Sequence, residues 1–269
     1  MMVAYVDGAG TGHNFGRYVM AGYVAFVHQW QEFADAWSSE LQRYPAIPFF
    51  RMASMRNAAW RYEIGISKDQ AELKTKRLGR LLQDSSLILF SAISSVSQEE
   101  FERVMTDTGL RANKDVRQAM GRLCFKTHYT YLFHSIAARV LWKLRDLEIV
   151  GDQVDFVFDR EDQLFNNANV LLKNLRDRLP LEIRDMLGDA SQNNDQTLVP
   201  LQAADYLAAT ARDYYAEPKN TKKRKRLLAA SGTGHKNATL IHTEEHLRTM
   251  ATALMKPRPV DLVLSNSAD

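Results

Sequence analysis

Three aspartates stand where they could do chemistry together: Asp7 after AYV, Asp159 after DFVF, and Asp205 within PLQAADYLAATARDYY. Asp7 and Asp159 each close an apolar stretch of strand character. In open α/β sheets ligands bind beyond the strand ends, so carboxylates there converge if their strands are neighbours. Asp205 comes from a helix whose Leu201, Ala204, Ala208 and Ala211 form a small-residue face that lets its backbone approach a sheet. Carboxylates crowded away from water repel one another, and a hard divalent cation such as Mg2+ or Mn2+ removes that repulsion. Two such ions about 4 Å apart activate water and stabilise the leaving oxygen in phosphodiester cleavage. Each acid also has a purely structural use. Asp7 can cap the glycine turn after it, Asp159 can cap a helix or pair with Arg160, and Asp205 can bind Arg212 or a backbone amide.

The elements that must position these acids are legible as hydrophobic periodicity. MVAYVD at 2–7 and YVMAGYVAFV at 18–27, separated by a turn with Gly8, Gly10 and Gly12, predict an antiparallel hairpin. Trp30, Phe33, Ala34, Trp37 and Leu41 predict a helix over 29–43, ended by Pro45 and Pro48. A strand is expected over 47–52, a helix over 69–82 and a strand over 87–93. Ser97 with Glu99 and Glu100 opens a further helix. A long helix follows over 115–147, then a strand over 154–158 and helices over 162–179, 200–215 and 243–255. A hairpin followed by alternating helices and strands predicts an α/β fold, a mixed sheet flanked by helices. Residues 1–217 would form this domain, and 218–269, a basic segment and a C-terminal helix, would pack on it.

The composition is that of a globular protein: 269 residues, 45% of them hydrophobic, which excludes the disordered and fibrous classes. Cys124 is the single cysteine, so no intramolecular disulfide and no multi-cysteine metal site can form, as a reducing compartment implies. The beginning of the chain carries Asp7 inside its first apolar stretch and no basic leader, and no apolar segment reaches a bilayer span, so a cytoplasmic protein without membrane insertion is expected. Net charge is only +3, but six of the eight residues over 219–226 are basic. Lys219, Lys222, Lys223, Arg224, Lys225 and Arg226 are therefore candidates for phosphate contact with nucleic acid, DNA or RNA, with a solvated charged loop as the plain alternative.

In three segments the chain resembles a bacterial domain-of-unknown-function family, catalogued as 3800: YVDGAGTG, VDFVFDRED and VPLQAADYLAATARDYY, in that order, with LQAAD the most specific. The resemblance spans roughly the first 215 residues in outline. It implies a ribonuclease H-like fold with Asp7, Asp159 and Asp205 as ligands of Mg2+ or Mn2+ in a nuclease or nucleotidyl-transfer centre. The family's first motif often reads Asp-Glu-Ser-Gly, whereas this chain has Asp7, Gly8, Ala9 and Gly10. A carboxylate and a hydroxyl are missing, and Glu161, Asp162 and Glu63 are the candidates to replace the acid. The same departure leaves open a second reading, a catalytically degenerate binding or adaptor protein of the same architecture.

Other motifs compete less well. His242, Glu245 and His246 have the form H-x-x-E-H of inverzincin zinc proteases, but no glutamate follows Glu245 to complete that ligand set. His13 stands where a dinucleotide fingerprint needs its third glycine, and no Walker A lysine is present. His128 and His134 lie among aromatic residues of the long helix as core side chains, and Cys124 reads as a small buried hydrophobe.

Overall fold

A computed structural model of the chain describes residues 1–10, 16–84, 86–110, 112–114, 127–149, 151–159, 165–177, 179–232 and 237–255. Its strands are β1 (Met2–Ala9), β2 (Arg17–Phe26), β3 (Phe90–Ser97), β4 (Val154–Asp159), β5 (Leu187–Asn193) and β6 (Asn237–His242). They form one sheet in the order β5-β4-β1-β2-β3-β6. β2 runs antiparallel to β1 and β3, while β1/β4, β4/β5 and β3/β6 are parallel pairs, so only β2 is reversed. The other five strands therefore end at one edge of the sheet.

Side-chain alternation builds the two faces. Met2, Ala4 and Val6 of β1 enter one core with Phe156 and Phe158 of β4, while Val3 of β1 enters the other with Ala21 and Tyr23 of β2. The first face is covered by α5 (Gln98–Asp107), α6 (His128–Asp146), α7 (Phe165–Arg176), the single turn α8 (Leu181–Arg184) and α11 (Glu244–Met255). The second is covered by α1 (Val27–Gln42), α2 (Met52–Arg56), α4 (Lys68–Asp84), α9 (Val199–Ala216) and α10 (Thr221–Ala230), with α3 (Ala58–Glu63) beside α2 and α4. The molecule is a three-layer α/β structure.

Local chemistry explains several boundaries. The Ser97 hydroxyl accepts the Glu100 N–H and starts α5 as the sequence predicts. Pro200 lies in the first turn of α9, where its missing N–H costs nothing. Gly22 in β2 lies so close to the Tyr5 carbonyl of β1 that a Cβ there would collide with it, which fixes a small residue at the hairpin's tightest crossing. The expected long helix is observed over His128–Asp146; residues 115–126 of that expectation lie outside the described residues.

Three expectations are corrected. Residues 47–52 form no strand: the backbone at Arg51 is extended, but its neighbours bond to side chains of α9, as described below. The basic run over 219–226 is largely helical, because the Asn220 side chain accepts the Lys222 and Lys223 N–H groups and starts α10. The segment after 217 also contributes β6, which is hydrogen-bonded to β3 in the main sheet.

Candidate functional site

The parallel pairing of β1 and β4 runs from Met2 beside Val154 to Val6 beside Phe158. One residue further along, Asp159 ends β4 and is paired with Asn193 at the end of β5, whereas Asp7, expected to close its strand, lies within β1, which continues paired with β2 through Ala9. Alternation turns Asp7 and Asp159 away from the face of Val6 and Phe158 and towards that of α9. Asp159 is buried, and Asp7 is half-buried with its Oδ1 accepting the N–H of the next residue, Gly8, at 2.7 Å within β1.

α9 brings Asp205 close to Arg51, the residue that reaches Asp159. Its small residues Ala203, Ala204, Ala208 and Ala211 are fully buried and let the helix lie against β1 and β2. Gln202 and Asp205, one turn apart on α9, together grip the extended segment of residues 50–52. The Gln202 Oε1 accepts the Phe50 N–H at 3.0 Å, and the Asp205 Oδ2 accepts the Met52 N–H at 2.6 Å. The same Gln202 oxygen accepts the Trp37 indole N–H at 3.0 Å, and its Nε2 donates to the Asp195 carbonyl at 2.9 Å.

Held on both sides, Arg51 projects into the acids. Its Nη2 lies 3.5 Å from Asp159 Oδ2 and its Nε 3.3 Å from Asp195 Oδ2. Asp195 is buried in the turn between β5 and α9, where the Asn194 carbonyl accepts the Thr197 and Leu198 N–H groups. Sequence reasoning missed both residues. Asp195 belongs to QNNDQT, which reads as an ordinary polar loop, and Arg51 has no pattern around it. The neighbouring Gln202 was the one available signal, a polar residue one turn before Asp205 on an otherwise small-residue helix.

The electrostatics follow from this crowding. Burial raises Asp205 most, the Met52 N–H and the Arg51 guanidinium lower it, Asp195 raises it and Arg212 lowers it, and the carboxyl is left at about 6. The cations and donors at hand do not fully compensate the acids. Among the described residues no three His, Cys, Asp or Glu side chains come close enough to hold one ion between them, and Arg51 takes the central position instead.

The remaining candidates are dispersed. Glu63 stands exposed at the end of α3, and Glu161 and Asp162 lie outside the described residues. Of the basic run, Lys219, Lys222, Arg224 and Lys225 are exposed, Lys223 pairs with Glu217 at 2.7 Å, and Arg226 packs over the Tyr206 ring. The zinc reading of His242 is overturned by its surroundings. His242 ends β6, not a helix, and is buried, its Nδ1 2.6 Å from the Tyr131 hydroxyl and its Nε2 2.8 Å from the Ser135 hydroxyl. Burial, then His246 and Arg17, bring its pKa down to about 3, so at neutral pH it is an uncharged core group. No protein-family model and no curated protein matches the chain.

Proposed function

We propose that this chain is a divalent-metal-dependent phosphodiesterase acting on nucleic acid, with Asp7, Asp159 and Asp205 as its working carboxylates. One observation carries the reading: Asp159 ends β4 beside the β1 segment that holds Asp7, at the sheet edge where α/β folds bind ligands, and Arg51 links Asp159 to the surroundings of Asp205 on α9. The mixed sheet with only β2 reversed supports the finer assignment to a ribonuclease H-like fold, as does the position of each acid in its element.

The donor set suits Mg2+ or Mn2+: it is oxygen-only, and burial holds Asp205 at about 6 despite the Met52 N–H and the Arg51 guanidinium, so a further cation would favour its ionised form. Such an ion, when bound, supplies Lewis-acid activation of water and stabilisation of the leaving oxygen. Asp159 and Asp205 would hold it, with Asp7 beside them. Arg51 competes for the same Asp159 oxygen and, when turned outward, is a cation for a phosphate. Exposed Lys219, Lys222, Arg224 and Lys225 on and before α10 would steer the strand.

The experiment is cleavage of single- and double-stranded DNA, RNA and an RNA–DNA hybrid in Mg2+ or Mn2+, with Asp159→Asn and Asp205→Asn alongside. Cleavage lost in both folded variants supports the reading; no cleavage of any substrate by the wild type sinks it. Arg51 favours the second reading, a degenerate nucleic-acid-binding or adaptor protein, because its bonds to Asp159 and Asp195 already neutralise part of the cluster without metal. Metal-independent nucleic-acid binding unchanged by Asp205→Asn, with no cleavage, would select that reading.

A further inference from the structure

A cavity of about 450 Å³ lies among α2, α4, α9 and α10. Its size is that of a small-molecule pocket. It shares structure with the acid cluster: the Met52 backbone is held by Asp205, while Met52 and Tyr206, the residue after Asp205, line the cavity.

The lining combines two chemistries. Its floor is apolar and almost wholly buried, Met52, Met55 and Tyr206 being 2%, 4% and 4% exposed, and Arg56, Lys76, Arg80 and Arg226 supply four cations. Glu72 in the wall offsets one of these, and Asp213, which bonds both Arg56 and Arg212, offsets at most one more, leaving an excess of at least two positive charges. Arg226 is oriented: its guanidinium carbon lies 5.2 Å from the Tyr206 ring centroid, its Nε 3.4 Å from the Tyr206 hydroxyl and its Nη2 3.6 Å from the Met52 sulfur. The Tyr206 hydroxyl in turn occupies the space over Gly79 that any Cβ would fill. A glycine in mid-helix is unfavourable for α4, and its lack of a side chain seats the tyrosine that positions the arginine.

We propose that this cavity binds a nucleoside monophosphate, its phosphate against Lys76, Arg80 and Arg226 and its base against Met52, Met55 and Tyr206. A phosphate monoester carries a charge close to the excess in the cavity, about −1.5 to −2 at neutral pH. An arginine held over a ring beside two thioethers offers a base both stacking and soft contact. The binding needs neither a divalent ion nor Asp159, so it stands independently of the nuclease reading.

The test is calorimetry of the full chain without divalent metal, with AMP, adenosine and inorganic phosphate as probes. AMP binds more tightly than either fragment, and Lys76→Ala/Arg80→Ala, two exposed positions whose replacement leaves the core intact, weakens it roughly tenfold or more. Glu72→Gln, removing the opposing wall charge, tightens AMP, and Asp159→Asn leaves it unchanged. Wild-type protein that ignores AMP overturns the proposal, as does equal affinity in the doubly substituted protein, or phosphate alone binding as well as AMP. Absence of nuclease activity would leave it untouched.

Discussion

Arg51 is the residue on which the acid cluster balances. Its contacts with Asp159 and Asp195 put one guanidinium between two buried carboxylates, within electrostatic reach of Asp205. Removing one partner of such a group leaves charge buried and unpaired, which costs several kcal/mol. Arg51→Gln is therefore expected to lose about 3 kcal/mol in urea denaturation at pH 7. The loss should be smaller at pH 5, where Asp205, already near 6 and pushed higher without the guanidinium, takes up a proton. A loss of equal size at both pH values would show that Arg51 acts through Asp159, Asp195 and packing, without coupling to Asp205. Asp159 and Asp205 stand at the positions expected for them, a strand end and a small-residue helix, whereas β1 runs two residues past Asp7. Arg51 and Asp195 were not legible, because their roles arise from pairing with each other and, for Arg51, with Asp159, 108 residues away in the chain, and local sequence carries no trace of such contacts.

Among the elements, α9 organises the site because it delivers two acceptors to the segment before α2. Gln202 satisfies the Trp37 indole and the Phe50 amide at once, with its own amide spent on the Asp195 carbonyl. Gln202→Leu keeps the volume and strands two buried donors, so it is expected to cost about 3 kcal/mol and to free Arg51 from its acids. Urea denaturation reads the first effect. The second shows as a fall in the Asp205→Asn effect on stability when both changes are combined, since the two substitutions act on one network. A cost below about 1 kcal/mol would mean that water replaces the glutamine. The same clamp explains why residues 47–52 read as a strand: the backbone is extended, but its acceptors are side chains of a helix. β5 was illegible for the opposite reason. LGDASQN has almost no apolar alternation, because an edge strand closed by Asn193 needs burial only at Leu187, Gly188 and Ala190. The central strands β1, β2 and β4, apolar and buried, were readable almost to their ends.

At the scale of the molecule, the carboxyl edge of the sheet carries two titrating groups on opposite faces, and their effects on stability have opposite signs. Asp205 titrates near 6 in the folded chain and near 3.8 when unfolded, so between those values the native state binds more protons and stability falls as pH rises. His242 titrates near 3 when folded and near 6.5 when unfolded, so over the same range the unfolded state binds more protons and stability rises with pH. Each slope approaches 1.4 kcal/mol per pH unit, and in the wild type they largely cancel between about pH 4 and pH 6. Single substitutions uncouple them. Asp205→Asn should gain on the wild type as pH rises through this window, by up to roughly 3 kcal/mol in all. His242→Gln should gain on the wild type as pH falls below about 6.5, and the double variant should follow the wild-type slope again. Differences taken against the wild type at each pH remove the background of the other carboxylates, so urea denaturation from pH 4 to pH 7 isolates the two groups. Parallel curves for all four proteins would mean that neither side chain is desolvated as its surroundings require. The acid edge would then be open to water, and the carboxylates would have no unmet charge for a metal to answer.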